Sequence, residues 1–374
     1  MSAQKKFMNQ QHGFSMVEIM VGMVISLLSM IIILQVFTTF EGQKRTSTSG
    51  SNAQTNGSIA LFTIERSLRN AGYGFSVPEA LGCKINKSFN GVSSFFSLQP
   101  VTIINGAGGT PDTITILSSG KDGWSIPSTI ITDHPASAAN FKVSSILGME
   151  VNDLMIAFQP GKDCTLFQIK NIPASDMQIQ HLPTSPYNPP GGQNIYPPGG
   201  YNIGAQLFNL GQMVQQTYSL SNVNNDLLVT DFVTATGVAS AAVSLTPDIV
   251  NLQAKYGFDT RAGPQTDARV GRWDDAMFDA DNDGVTGNGG DIARIYAIKL
   301  VVVARSGQQE KADAAGVCNT TPAPPTWDRG TNGIPVNIDV SRNPDGSANA
   351  NWRCFRYKTF ETVIPLRNLI WRQT

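Results

Sequence analysis

Residues 11–37 read QHGFSMVEIMVGMVISLLSMIIILQVF, and the reading of this stretch decides the fold. From Phe14 to Phe40 the chain is apolar except for scattered Ser, Thr and Gln and a single charge, Glu18. A helix of that length spans roughly 40 Å, enough for a tilted bilayer crossing. Lys5, Lys6 and His12 precede it with no acid among them. Under the positive-inside bias they stay cytoplasmic, so the rest of the chain is expected beyond the inner membrane. No A-x-A-like cleavage site follows the apolar run, which continues FTTFEGQKR, so the segment is expected to remain in the mature protein. Glu18 is costly at this depth unless paired, neutralised or close to the headgroups.

Outward from this segment the chain changes character. It has 374 residues, 41% hydrophobic and only 15% charged, with a formal net charge of -1. Such balance gives no global electrostatic case for nucleic acid. Abundant Gly, Asn, Ser and Thr suit a β-rich, loop-rich exported head. The helix is expected to continue past the membrane, but after Gly42 the run QKRTSTSGSNAQTNGS is a poor helix former and reads as a flexible or partly melted linker within it. Leu61, Ile64, Leu68 and Ala71, spaced 3, 4 and 3, restore one apolar helical face, and Gly72 and Gly74 end it.

GFSMVEIM resembles the class III prepilin signal of type IV pilins and type II secretion pseudopilins. In that pattern a short basic leader ends in Gly, a hydrophobic residue follows, and Glu stands fifth after the cut. Gly13, Phe14 and Glu18 match these positions. The resemblance implies a prepilin peptidase that cuts between Gly13 and Phe14 and methylates the new amine of Phe14. It also implies that Glu18 pairs with the Phe14 amine of a neighbouring subunit, satisfying on assembly a charge that is expensive alone. IERSLRNAGYGF (Ile64 to Phe75), YGFDT (Tyr256 to Thr260), IARIYAIKLVVVARS (Ile292 to Ser306) and TVIPLRNL (Thr362 to Leu369) resemble segments of PilW-like minor pilins.

The expected architecture is α+β: a leader at 1–13, a transmembrane helix at 14–40, a linker and amphipathic second half of the helix at 41–74, and a large, mostly antiparallel β head with long loops at 75–374. DTITIL (Asp112 to Leu117), the two runs flanking Pro160-Gly161, TYSL and DLLVTDFV predict strands. Ile295 to Val303 reads as a strand, with a buried helix as the alternative. WRCFRYK (Trp352 to Lys358) reads as a strand rather than a nucleic-acid contact. Residues 183–203, rich in Pro, Gly, Tyr and Asn and free of charge, read as a surface loop or linker, with a tyrosine contact loop as the functional option.

Cys83, Cys164, Cys318 and Cys354 form no CxxC, and with three histidines a zinc site is not expected. Four cysteines outside the membrane predict two disulfides. Three pairings are open; Cys83–Cys164 and Cys318–Cys354 are favoured because each joins neighbours in the cysteine order. DADNDG (Asp279 to Gly284) is the one cofactor-like motif. Alternate Asp residues followed by Gly can wrap oxygens around a calcium ion, with Asp291 as a further ligand. Loop position twelve, a Glu in an EF-hand, is Gly290 here. Otherwise no cofactor is expected, and no GxSxG, HExxH, P-loop or dinucleotide fingerprint is present.

The resemblance thus implies a non-enzymatic minor pilin, held in the inner membrane with its head in the periplasm before assembly and on the cell-surface pilus after it. It would help to prime the pilus beside major and other minor pilins, near its tip and with a tip adhesin as a further partner. A J-type pseudopilin of type II secretion and a pilus-associated adhesin are the alternatives.

Overall fold

The computed structural model describes residues 13–121, 126–174, 176–192, 195–263, 269–313, 315–328 and 335–370. The expected leader, apart from Gly13, lies outside them. The chain divides into two units, Met1–Ser51 and Asn52–Thr374.

Helix α1 (Met16–Arg69) runs unbroken for 54 residues. In the first unit its large apolar side chains, from Phe14 and Met16 to Phe37 and Phe40, are all exposed. A water-soluble helix hides such residues against a core; among the described residues nothing covers these. Among the described residues this is the one helix long and apolar enough to cross a membrane.

The linker expected from Gly42 to Ser58 is helical instead. Helix propensity is a weak prior that packing overrides. In the second unit Ala53, Gly57, Ala60, Ile64 and Leu68 form one buried stripe. Small residues at its start let the helix backbone sit close to the head. A β-carbon added at Gly57 would stand 2.0 Å from the Phe360 ring. Gly57→Ala is therefore expected to destabilise the head by about 1–3 kcal/mol through overpacking, although Gly→Ala in an open helix gains about 1 kcal/mol. Denaturant melts of Gly57→Ala alone and combined with Phe360→Ala check this, the second change restoring most of the loss. Equal melts of wild type and Gly57→Ala would refute the close approach.

Among the described residues the head is built on three larger sheets, with two further two-stranded ones. The first runs Val92–Ser97, Lys84–Phe89, Cys164–Gln168, Leu154–Phe158, Gln206–Gly211 and Ser128–Thr129. The second runs Val238–Ala239, Leu227–Val233, Val214–Leu220, Thr113–Ser118 and Val101–Ile104, with Val243–Thr246 also on Leu227–Val233. The third runs Arg272–Asp274, Ile249–Phe258, Ile295–Arg305 and Tyr357–Pro365. Among the described residues pairing is antiparallel except where Lys84–Phe89 meets Cys164–Gln168. The runs around Pro160-Gly161 pair as a hairpin, Ala157 opposite Thr165. Ile295–Arg305 is a strand buried along almost its whole length, as a continuous Val-rich run with neighbours on both sides requires.

WRCFRYK is divided. Trp352–Cys354 is a short helical turn, and the strand begins only at Tyr357. Cys354, tied to Cys318, is held in this turn rather than in the strand.

One core joins the helix stripe to all three sheets, including Leu68, Ile114, Phe208, Leu252, Ile298 and Ile364. A second, smaller core around Phe141, Phe167, Tyr196 and Tyr201 lies within the segment 130–207.

Candidate functional site

The N-terminal module comes first. Gly13 and Phe14 precede α1, and Phe14 is 80% exposed. The Glu18 carboxylate accepts the backbone N–H of Ser15 at 3.4 Å. Ser15-x-x-Glu18 is half of a capping box, in which the third helical residue reaches back to a donor the helix start leaves unsatisfied. Glu18 thus has a partner within its own chain. The S-x-x-E spacing signals this role, and the sequence reading missed it.

A second site forms at the other end of α1. Ile64–Phe75 and Thr362–Leu369 meet in space. Gly72 donates its N–H to the Leu117 carbonyl at 2.9 Å, and Asn368 donates Nδ2–H to the Ala71 carbonyl at 3.1 Å. Beside this junction lies a cleft of about 410 Å³ lined by Phe62, Glu65, Arg66, Arg69, Asn70, Tyr73, Arg367 and Asn368. Arg69 pairs with Glu65 one turn away, a local pair that cancels one charge of each sign. No ion pair is formed by Arg66 or Arg367 among the described residues.

At the acidic loop, ligand oxygens of Asp279, Asp281 and Asp283 lie within 4.8 Å of one another. They already accept backbone N–H groups, Gly284 to Asp279 at 2.9 Å and Val285 to Asp283 at 2.8 Å. The Asp281 carboxyl is raised by partial burial and by the charges of Asp283 and Asp291. Asp291 stands outside this trio. It is buried and takes the N–H groups of Ala280 at 2.5 Å and Gly287 at 2.7 Å, so it closes the loop. Gly290 leaves room for Asp281, whose Oδ2 would be 1.8 Å from a β-carbon there. The trio would supply part of the six to eight oxygens calcium takes, and by itself the loop carries no functional conclusion.

The cysteines pair as Cys83–Cys164 and Cys318–Cys354. The first ties the strand after Cys83 to the one beginning at Cys164, where Ile85 lies opposite Cys164.

The described part of the 183–203 segment is only partly a surface loop: Pro198, Gly199, Asn202 and Ile203 are exposed, but its tyrosines are not. Tyr187, Tyr196 and Tyr201 are buried. Each hydroxyl has a partner: Tyr187 donates to the Thr234 carbonyl at 2.7 Å, Tyr201 to the Asp163 carbonyl at 2.8 Å, and Tyr196 meets His181 Nδ1 at 3.1 Å. Pro and Gly let the backbone follow an irregular path while the aromatic rings fill the core. The segment therefore presents no tyrosine contact surface.

Inside that core His134 Nε2 lies 2.9 Å from His181 Nε2. One imidazole donates through Nε2–H and the other accepts. His134 stacks on Phe141 at 3.7 Å, and its Nδ1 has no partner. Burial lowers His134 to about 4; burial, then the neighbouring His134, lowers His181 to about 3. With three histidines scattered in sequence, no spacing signalled this pair.

Two family models match. Residues 8–34 match the prokaryotic N-terminal methylation motif, and residues 210–368 match the type IV pilus-assembly protein W family. The second match covers the third sheet and both cleft residues Arg367 and Asn368, whereas the buried histidine lobe lies outside both. No curated protein matches the chain.

Proposed function

Because the chain is a PilW-like type IV minor pilin, we propose that it helps to prime pilus assembly from the inner membrane, near the tip and beside other minor pilins and the major pilin. Its head lies in the periplasm until assembly carries it to the surface. A prepilin peptidase cuts between Gly13 and Phe14 and methylates the new amine. Glu18 then exchanges its Ser15 contact for the Phe14 amine of a neighbouring subunit.

The observation that supports this reading most is the Gly13–Phe14 junction within the matched methylation motif, directly before a helix whose apolar side chains are uncovered. Lipid can cover such a helix first and neighbouring helices afterwards. The match to pilus-assembly protein W favours the pilus over a type II secretion pseudopilus. No catalytic step is assigned.

The test is the N-terminal peptide mass from cells with and without the peptidase. The expected product begins at N-methylated Phe14 and appears only with the enzyme. An uncut chain in both strains sinks the proposal. In processed protein, Glu18→Ala is expected to leave cleavage intact and reduce incorporation into pili roughly 100-fold, because it strands a cation in low dielectric. Normal incorporation of this variant would remove Glu18 from docking.

A further inference from the structure

We propose that the basic cleft between the last turns of α1 and Arg367–Asn368 binds an acidic segment of another protein, with Arg66 and Arg367 taking its carboxylates. The cleft's volume, about 410 Å³, suits a few side chains rather than a whole domain. The Glu65 charge is already matched by Arg69, so Arg66 and Arg367 leave the cleft two positive charges in excess. Guanidinium groups hold carboxylates through paired N–H donors, which fixes the geometry of the contact as well as its charge.

The rest of the lining points to a polypeptide. Phe62 is 67% exposed and Tyr73 is 37% exposed, offering apolar contact on either side of the cations. Asn70 adds an exposed amide that can meet a peptide group. Aromatic and Arg side chains together are the residues that dominate protein interfaces. A second copy of this chain would have to present an acidic surface to this basic one; presenting the same cleft would set arginines against arginines.

The inference does not require filament assembly, since any protein meeting the exposed head could occupy the cleft. A photo-crosslinking amino acid is placed at Asn70 in the full chain, expressed in its own cells, and the crosslinked peptide is sequenced. The expected result is one peptide of another protein with Asp or Glu within a few residues of the crosslink. Arg66→Glu with Arg367→Glu is expected to reduce the crosslink at least tenfold, and changing the mapped acid to Lys to restore it. Both substitutions are at exposed positions, and formation of both disulfides verifies that the variant folds. Crosslinks to phospholipid, to residues 371–374 of the same chain, to a second copy, or to a peptide without acids would overturn the proposal. So would no crosslink, or one indifferent to the charge reversal. N-terminal processing, read from the same samples, separates failure here from failure of the pilin reading.

Discussion

Acidification from pH 7 to pH 4 is expected to destabilise the head by about 3 kcal/mol through the first proton taken by the His134–His181 pair alone. The two rings are buried and neutral, and burial holds His134 at about 4 and His181 at about 3. An unfolded histidine takes its proton near pH 6.5. Below that pH the unfolded chain binds more protons than the folded one, so stability falls as pH drops through the window from about 6.5 to about 3. The faces packed on the pair offer no relief. Phe141, Phe167, Tyr196 and Tyr201 surround the rings, and the Tyr196 and Tyr201 hydroxyls are pushed further toward their neutral form by burial. The Asp163 carbonyl accepts from Tyr201, and its charge reaches the Tyr201 hydroxyl rather than either imidazole. Urea melts from pH 7 to pH 4 read the effect. The double variant His134→Gln, His181→Gln should lose at least about 3 kcal/mol less across this range than wild type, since it removes both titrating rings. Parallel pH slopes for the two proteins would show that the pair is not what titrates.

The second large effect is expected from Cys83→Ala with Cys164→Ala. This disulfide closes a separation of 81 residues, against 36 for Cys318–Cys354. On the chain-entropy account its loss costs about 4.5 kcal/mol and loss of the other about 4 kcal/mol. The first also holds the place where the one parallel strand pair among the described residues forms, Ile85 opposite Cys164. Parallel neighbours lack a short turn between them, so this pairing depends on the crosslink more than any hairpin does. Denaturant midpoints of the two double-alanine variants, measured without reductant, give the comparison. A smaller loss for Cys83/Cys164 than for Cys318/Cys354 would contradict it.

Both effects concern parts of the molecule that were unevenly legible. The apolar run after Gly13 could be read directly, because bilayer-length hydrophobicity is a property of consecutive residues. So could the hairpin at Pro160-Gly161 and the strand Ile295–Arg305, where turn chemistry and a Val-rich run agree. The linker after Gly42 was misread because composition registers only intrinsic helix propensity. The stripe Ala53, Gly57, Ala60, Ile64 and Leu68 is buried by the head, which adds a stabilisation the local sequence does not contain. Residues 183–203 were misread for a related reason: a Pro/Gly-rich composition marks irregular backbone, and irregular backbone need not be exposed.

By itself the sequence determined the membrane-length helix, the prepilin-like junction at Gly13–Phe14 and the antiparallel β character of the head, because each is written in residues that are neighbours along the chain. Only the tertiary structure decided which acid closes the Asp279 loop, that His134 faces His181, and that the end of α1 shares a cleft with Arg367. Asn368 and Ala71 lie 297 residues apart in sequence. No local pattern reaches so far, and such contacts exist only once burial of the common core has brought the segments together.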